Sequence, residues 1–232
     1  MGLDVCISPI KATIGSIEDY ESENQYQQEL IIIENLIALI QAKIKEQTGK
    51  TITWNEEEIE PDKEENIELF CERLGNYSVL HHLRRYAAFI DKTNAPPETP
   101  CELEEAANDE ILLEVYDGET RTQFPHLIDH SDCDGYYIPC SFEKPLWIKP
   151  SEIGMDQDDD EMLISAGSSK KLLEELTILN NYLQIDTDEI SNLEEFATRI
   201  ASDKWEFVKW SWAVLYYMCV NSIKFRQPMI FC

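Results

Sequence analysis

The side chains best suited to chemistry are concentrated in residues 125–137, which read PHLIDHSDCDGYY. Two of the four histidines, one cysteine and three aspartates lie in that segment. Imidazole, thiolate and carboxylate are the usual ligands of zinc and iron. His126 and His130 are four residues apart, so their side chains share a face whether the segment is helical or extended. The segment therefore predicts a metal site with His126, His130, Asp132 and Cys133 as ligands.

Two further interpretations use the same segment. Cys133 beside His130, with Asp129 nearby, has the residue types of a nucleophilic cysteine site, but the neighbouring acids raise a thiol pKa and hinder thiolate formation. A calcium loop would need Asp where His130 stands and a bidentate Glu where Ser141 stands. No complete catalytic motif occurs, so no residue is assigned to catalysis. A metal-assisted hydrolase is kept as the alternative function; no cofactor is predicted, and a divalent metal is the one candidate that this segment offers.

A structural interpretation of the segment competes with the catalytic ones. Ser and Asp side chains form tight turns through local hydrogen bonds, and glycine supplies a positive φ. The basic patch around Arg84 and Arg85 is the natural counterpart of aspartates in such a turn. We therefore expect the turn to pack against the helix after Tyr77, beside a recognition surface for a small ligand or protein. The candidate ligand-binding residues are Tyr77, Ser78, His81, Arg84, Arg85, Ser131, Asp132, Cys133, Asp134 and Gly135.

Hydrophobic periodicity predicts the elements that must hold this segment in place. We expect helices over about 23–46, 64–74, 78–91, 167–183 and 192–223, the last with a break near 202–203 and a buried, aromatic-rich second half. Together with a set of short strands, they predict an α+β fold in which helices pack on a small, mostly antiparallel sheet. The predicted strands are residues 3–7, 110–116, 120–124, 136–142, 146–149 and an edge strand at 229–231.

The length of 232 residues and a hydrophobic content of 43% fit one α+β domain over residues 1–232. Three acidic stretches interrupt the periodic segments, near residues 55–66, 93–109 and 151–161. Their charge and turn-forming residues predict solvated loops rather than packed elements.

Charge is the strongest property of the chain as a whole. Forty-six acidic residues face nineteen basic ones, which gives a formal net charge of −27. Such a surface repels nucleic-acid phosphates and anionic membranes and attracts basic proteins. We therefore expect no binding to nucleic acid or membrane, and a basic protein or a small ligand as partner. The oligomeric state is left open.

The seven cysteines are odd in number and form no CxxC pair. Several of them, including Cys6, Cys71 and Cys219, stand in apolar runs, where a reduced cysteine behaves as a small hydrophobe. The pattern predicts reduced thiols rather than a disulfide scaffold, and a cytoplasmic location. The start of the chain carries no basic leader, and the apolar run over 210–223 is shorter than a membrane span.

Three short motifs resemble a group of bacterial and phage proteins that have no established activity. The motifs are MGLD at residues 1–4, the turn GNYS at 75–78 and HSDCDG at 130–135. That family has MGLD, a GSYS-like turn and an (F/H)SDCEG segment before an aromatic-rich C-terminal helix. The chain departs from this pattern at Asn76 and Asp134. The resemblance follows the order of elements over most of the chain, and it implies candidate positions but no reaction.

These observations lead to two hypotheses of function. The leading one is a non-enzymatic cytoplasmic binding or regulatory protein, such as an acidic inhibitor or immunity-type protein that neutralises a basic partner. The alternative is an enzyme centred on the His, Asp and Cys side chains of residues 126–135. The missing catalytic motifs and the acidic surface favour the first hypothesis.

Overall fold

The computed structural model describes residues 2–56, 70–119, 121–131 and 134–232. In this part of the chain six strands form one sheet: β1 (Leu3–Ile7), β2 (Phe70–Gly75), β3 (Tyr136–Ile138), β4 (Leu146–Ile148), β5 (Ile164–Ser168) and β6 (Met229–Phe231). Their order is β2-β1-β6-β3-β5-β4. All neighbouring strands are antiparallel except β3 and β5, which are parallel.

Seven α-helices pack around the sheet in the described residues: α1 (Glu23–Thr48), α2 (Tyr77–Thr93), α3 (Glu110–Tyr116), α4 (Pro125–Ile128), α5 (Ser169–Leu183), α6 (Leu193–Ile200) and α7 (Glu206–Phe225). Short 3-10 helices occur at Ile10–Ile14, Ile17–Asp19, Ala106–Asn108, Pro150–Ile153, Gln157–Asp159 and Thr187–Ser191. The predicted break near 202–203 is confirmed, because α6 ends before it and α7 begins after it.

The two faces of the sheet carry different helices. On one face, α2, α5 and α7 pack over β1, β6 and Tyr137 of β3. On the other face, α1 covers Ile138 of β3 and the inward side chains of β4 and β5. Tyr137 and Ile138 are consecutive, and consecutive strand side chains point to opposite faces. The sheet is therefore buried on both sides where β3 passes through it.

Helix α7 lies in the larger core, as its aromatic run predicts. Trp212 is fully buried, and its indole N–H donates to the carbonyl of Leu176 in α5 over 2.7 Å. The Ser211 hydroxyl donates to the carbonyl of Val79 in α2 over 2.8 Å. Helix α7 thus holds two other helices by apolar packing and by hydrogen bonds. The predicted α+β class, with a mostly antiparallel sheet and a buried aromatic-rich C-terminal helix, is confirmed.

The strand predicted at 110–116 is wrong, because these residues form helix α3. The carboxylate of Asp109 caps the helix by accepting a backbone N–H of its first turn over 3.0 Å. Leu112 and Val115 are buried, whereas Leu113 is 39% exposed. Burial therefore recurs at the three-residue spacing of a helix and not at every second residue, as it would in a strand.

The helix predicted over 64–74 is also wrong in its described part. Residues 70–75 pair antiparallel with β1 and form the edge strand β2. Leu74 is fully buried, while its neighbour Arg73 is exposed. The alternation is that of a strand with one covered face. Residues 57–69, which include the rest of the predicted helix and most of the acidic loop at 55–66, lie outside the described residues.

Two further strand predictions need correction. Thr120 lies outside the described residues, and residues 121–124 form no strand, because the segment with which they were expected to pair is helical. The strand at 229–231 exists, but it lies between β1 and β3 rather than at an edge. This interior position explains why all three of its residues are buried.

Cys6 and Cys71 form a disulfide between directly opposed residues of β1 and β2. The prediction that the cysteines remain reduced is therefore wrong for this pair. The two cysteines are 65 residues apart, and their pairing depends on the register of two strands, so no local sequence pattern predicts it. The free cysteines of the described residues are Cys101, Cys140, Cys219 and Cys232.

No helix among the described residues is both long and apolar enough to cross a membrane. The predicted loops near 93–109 and 151–161 contain short 3-10 helices but no strand. The interpretation of residues 1–232 as one domain stays a prediction.

Candidate functional site

Arg84 of α2 anchors the segment that the sequence singled out, which we call the histidine turn (residues 126–131 and 134–136). Its guanidinium donates to three backbone carbonyls, those of Leu127 at 2.8 Å, His130 at 2.7 Å and Ser131 at 3.1 Å. The residue is only 2% exposed. A planar guanidinium can satisfy several carbonyl groups at once. The turn therefore packs against α2 as expected, although Arg84 bonds to carbonyls where aspartates were expected.

Glu175 of α5 holds the first part of the same turn. Its two carboxylate oxygens accept the backbone N–H groups of His126 at 2.9 Å and Leu127 at 2.8 Å. Both groups belong to the first turn of α4, where backbone N–H groups lack the usual partner four residues earlier in the helix, and the Leu127 N–H also donates to the carbonyl of Phe124 at 3.2 Å. Burial raises the pKa of Glu175 to about 8, although both N–H groups act in the opposite direction. The carboxyl group is therefore a structural cap of α4.

Sequence reasoning missed Glu175, yet a signal was present. It stands three residues after Leu172 and four before Leu179, so it lies on the apolar stripe of α5. Arg84 stands in the same way four residues after Leu80 on the buried face of α2. A charged residue within an apolar helical stripe indicates a buried polar contact. Applied to both helices, this criterion identifies the two side chains that hold the turn.

The ring nitrogens of the two histidines lie within hydrogen-bonding distance of backbone groups. His126 Nε2 donates to the carbonyl of Phe142 at 3.1 Å, and its Nδ1 accepts the N–H of Ser168 at 3.0 Å. His130 Nδ1 and Nε2 lie 3.0 and 3.1 Å from the carbonyl oxygens of Ser131 and Tyr136. Burial lowers the pKa of each histidine to about 4. Both rings are therefore neutral at pH 7, so His130 donates from only one of its nitrogens. The Ser165 hydroxyl, 3.3 Å from Nε2, can donate to that nitrogen.

These contacts bear on the predicted metal ligands. Metal binding at His126 Nδ1 would require breaking the hydrogen bond from the Ser168 N–H. At His130 it would require displacing the Ser165 hydroxyl or a backbone carbonyl from the ring nitrogen. Within the described ranges, no group of three or more His, Cys, Asp or Glu side chains is arranged to hold a metal ion. Asp132 and Cys133 lie outside those ranges. The metal site therefore stays a prediction.

Gly135 closes the histidine turn at a point where no side chain fits. Its φ is +105°, and a Cβ placed there would lie 2.3 Å from the Ser165 hydroxyl oxygen and 2.8 Å from the Ser165 carbonyl oxygen. The expectation of a positive φ at Gly135 is confirmed. The close approach lets the His130 ring stack on Tyr137, with 4.0 Å between ring centroids.

A cavity of about 370 Å³ opens beside the turn and collects some of the candidate ligand-binding residues. His81, Arg84 and Ser131 line it, together with Tyr116 and Trp147. The Tyr116 hydroxyl lies 3.3 Å from His81 Nδ1 and 3.4 Å from Arg84 Nη1. A concave surface therefore lies beside the turn, where the recognition surface was expected. A ligand for it stays a prediction.

Other candidate residues lie away from this cavity. Arg85 Nε bonds to Asp109 at 2.6 Å, and the Ser78 hydroxyl bonds to Glu104 at 3.2 Å. Tyr77 is the first residue of α2 and half-buried. The remaining candidates are Asp134, which is exposed, Gly135, which is buried against Ser165, and Asp132 and Cys133, which lie outside the described residues.

Most acidic side chains, in contrast to the buried Arg84, His126 and His130, lie on the surface. Among the described residues Glu175 is the only acidic residue that is buried. Exposed carboxylates are dense in three segments, at residues 98–119, 152–161 and 186–195. The described part of the chain therefore carries its negative charge on the outside, and these three dense segments are separate from the histidine turn.

A comparison with protein families gives the observation that decides the class of this protein. Residues 1–231 match a family described as "Putative DNA-mimic protein". The chain belongs to this family. The comparisons with curated proteins and with solved structures gave no match.

Membership in the DNA-mimic family provides a functional interpretation of the acidic surface, which charge composition alone did not provide. The prediction of an acidic binding protein agrees with it at that level, and so does the resemblance to a family without an assigned reaction. The bacterial or phage origin and the three quoted motifs stay predictions. The acidic surface, rather than the histidine turn, becomes the candidate functional site.

The partner prediction, which named no nucleic acid and a basic protein or small ligand, needs correction in its first part. The family description connects the chain with DNA. The sequence argument considered only the repulsion between acidic side chains and phosphates. It did not consider that a negative surface can take the place of the phosphates at a protein that binds DNA.

Proposed function

We propose that this protein binds a DNA-binding protein at its DNA-binding surface and thereby blocks access of DNA. Carboxylates would stand where the partner otherwise meets phosphates. The observation that carries the proposal is the family match over residues 1–231 in a chain with a net charge of −27. Double-stranded DNA carries one charge per about 1.7 Å of axis, so this net charge equals that of about 46 Å of duplex.

The ion pairs of the chain leave most of this charge available. The ion pairs of the acidic segments include Glu152 with Lys43 and Glu189 with Arg199, and both acids are partly exposed. Exposed pairs of this kind are weak and are screened by salt. With forty-six acids and nineteen bases, pairing cannot neutralise the surface. A cationic groove on a partner would gain long-range attraction and displace counterions on binding.

One acidic segment has the mixed character of an interaction surface, and we call residues 155–163 the acidic ridge. Its run of carboxylates is flanked by exposed apolar side chains, with Met155 (38% exposed) before it and Met162 (72%) and Leu163 (38%) after it. Large apolar side chains exposed beside charges are typical of binding surfaces. The exposed acidic residues of the ridge are Asp156, Asp158, Asp159 and Glu161.

Helix α1 extends the ridge. The Asn35 side-chain amide donates to the carbonyl of Ile153 at 3.0 Å, which fixes the start of the ridge against the helix. Ile31 lies one helical turn earlier on the same face and is 56% exposed, with exposed Glu34 beside it. The apolar and acidic pattern therefore continues from one segment onto the next.

The proposed partner would be met in the compartment that holds DNA, so a cytoplasmic location and an inhibitory role form part of this proposal. The test begins with capture on the immobilised protein from a nuclease-treated extract of the source cells. Bound proteins are eluted with a synthetic duplex of about 14 base pairs, which has a charge similar to that of the chain. We expect the duplex to elute DNA-binding proteins, and salt to do the same.

A purified partner then allows a direct competition measurement. Fluorescence anisotropy of a labelled duplex should fall as this protein is added, and the apparent affinity for DNA should decrease in proportion to the concentration of added protein. A ternary complex, in which DNA and this protein bind the partner together, would contradict the proposal. So would a captured set of proteins that the duplex does not displace.

Matched variants locate the binding surface. The triple change Asp156→Asn, Asp158→Asn and Asp159→Asn removes three charges from the acidic ridge. The control Asp188→Asn, Glu194→Gln and Glu195→Gln removes three exposed charges from another segment. We expect the ridge variant to weaken competition at least tenfold and the control to weaken it less than threefold. Equal effects would show that total charge alone determines binding and would remove the special role of the ridge.

A further inference from the structure

Three cysteines lie close together on three neighbouring strands of the sheet. Cys6 of β1 is disulfide-bonded to Cys71 of β2, which lies directly opposite. On the other side of β1, Asp4 and Cys232 exchange backbone hydrogen bonds of 2.8 and 3.1 Å. This pairing places Cys232 diagonally next to Cys6, on the same face of the sheet. The Sγ atoms of Cys6 and Cys232 are 3.5 Å apart.

We propose that Cys6, Cys71 and Cys232 form a thiol–disulfide exchange site. In the exchange step the Cys232 thiolate attacks Sγ of Cys6. The Cys6–Cys232 bond forms, the Cys6–Cys71 bond breaks, and the electron pair of the broken bond leaves on Cys71. The proton that Cys232 loses to solvent is regained by Cys71. One disulfide and one thiol are present before and after the step, so no external oxidant or reductant takes part.

The exposure of the three residues fits this assignment. Cys6 is 8% exposed and is the sulfur common to both disulfides, whereas Cys71 and Cys232 are both exposed. Either form of the site therefore presents one accessible thiol to solvent. Small thiols and dithiol proteins are the chemical class that would react there by forming a mixed disulfide. The exchange moves the covalent link of β1 from one neighbouring strand to the other.

The remaining described free cysteines lie apart from this site and differ from it in setting. Cys140 and Cys219 are buried, and Cys101 lies 3.9 Å from a ring nitrogen of His82. Burial and the nearby Asp4 carboxylate raise the pKa of the Cys232 thiol, which lowers its thiolate fraction at neutral pH. The exchange should therefore be followed at about pH 8.5, where the reactive form is more populated.

Disulfide mapping by mass spectrometry tests the proposal. The full chain is oxidised with glutathione disulfide, held at about pH 8.5 and quenched with N-ethylmaleimide at low pH. We expect two linked peptide pairs, Cys6–Cys71 and Cys6–Cys232, with the label on the third cysteine of each form. Cys71→Ser should form Cys6–Cys232 in the same buffer, and Cys232→Ser should form Cys6–Cys71 alone. Cys101→Ser is the control and should leave the ratio of the two pairs unchanged.

Two results would overturn the proposal. In the wild type, finding Cys6–Cys71 as the only linked pair after prolonged incubation would show that Cys232 does not exchange. In Cys71→Ser, full labelling of both Cys6 and Cys232 would show that the two sulfurs do not bond. The wild-type measurement needs no substitution, so it decides the question even if a variant fails to fold. Binding to the proposed DNA-binding partner plays no part in either result.

Discussion

The histidine turn and the acidic ridge are both dense in charged and polar residues, yet the structure uses them in opposite ways. In the turn, Arg84 and Glu175 are withdrawn from water and bonded to backbone groups. In the ridge, the consecutive carboxylates of Asp158 and Asp159 remain exposed on a short 3-10 helix. Burial makes the first group structural, whereas exposure leaves the second group free to meet a partner. Polar density alone therefore does not distinguish a site from a scaffold.

The largest expected effect concerns the guanidinium that holds the turn. Arg84→Ala leaves three backbone carbonyls without their donor, and we expect the free energy of unfolding to fall by about 3–5 kcal/mol. The control is Arg199→Ala in α6, whose guanidinium is 43% exposed and pairs with Glu189 of the acidic segment at 186–195. That change should cost less than about 1 kcal/mol. The measurement is urea denaturation followed by circular dichroism.

Similar losses for the two arginine variants would contradict the comparison. A third variant, Arg84→Lys, sharpens it, because lysine keeps the charge but cannot reach several carbonyls in one plane. We expect an intermediate loss of about 1–3 kcal/mol for this change. A wild-type stability for Arg84→Lys would mean that charge, rather than hydrogen-bond geometry, holds the turn.

Two glycines with positive φ, one in the histidine turn and one between exposed acidic residues, extend the comparison of buried and exposed regions to the backbone. Gly135→Ala places a methyl group 2.3 Å from the Ser165 hydroxyl, so we expect a loss of about 2–4 kcal/mol. Gly118 lies between exposed Asp117 and Glu119 and has a φ of +72°, and among the described residues no atom beyond its two chain neighbours would lie within 4 Å of a Cβ there. Gly118→Ala should therefore cost only about 1 kcal/mol, from the backbone conformation alone. Thermal melting of both variants measures the difference, and equal shifts would show that the turn can yield to a methyl group.

Local patterns in the sequence predicted the elements that depend on local physics. The leucines at 172, 176 and 179 placed α5, and the alternation of Leu3, Val5 and Ile7 placed β1, because both patterns follow from the period of one element. The strand β2 and the Cys6–Cys71 disulfide depend on a long-range register and left no local pattern. The strand predicted at 110–116 failed because aliphatic content was weighed above spacing.

The sequence also predicted the candidate site only in part, but the reason differs from that for the missed strand and disulfide. Residues around 130 were correctly expected to fold against α2, and the apolar stripes of α2 and α5 contained Arg84 and Glu175. Mimicry of DNA, however, is a relation between this surface and the surface of a partner. Charge composition predicts attraction to a basic protein, but it contains no information about what that protein otherwise binds.

The pH dependence of stability distinguishes the buried carboxyl group of Glu175 from the exposed one of its neighbour Glu174 in α5. The pKa of Glu175 is raised to about 8 in the folded protein, whereas an ordinary glutamate titrates near 4.5. Between these values the folded state binds more protons than the unfolded state, so this group lowers stability as the pH rises. Between pH 7 and pH 8 the wild type should lose about 1 kcal/mol relative to Glu175→Gln.

The two buried histidines contribute little to the change in stability between pH 7 and pH 8. Burial lowers the pKa of His126 and His130 to about 4, and unfolded histidine is mostly neutral above pH 7. Glu174→Gln is the matched control, since the neighbouring Glu174 side chain is 63% exposed. Its stability should run parallel to that of the wild type over the same interval. Urea denaturation at each pH provides the measurement. Parallel curves for wild type and Glu175→Gln would show that the Glu175 carboxyl group does not titrate in this range.

The smallest expected effect tests the acidic surface as a whole. Raising the ionic strength from about 10 mM to about 150 mM shortens the Debye length from about 30 Å to about 8 Å. Repulsion among exposed carboxylates then decreases, and because acids outnumber bases this gain exceeds the weakening of exposed ion pairs. We expect the melting temperature to rise by about 2–4 °C. The destabilisation caused by Arg84→Ala should stay the same within about 0.5 kcal/mol at the two salt concentrations, because its partners are buried neutral carbonyls. A salt-independent melting temperature, or a salt-dependent Arg84 effect, would mean that the division between a buried polar scaffold and an exposed charged surface is wrong.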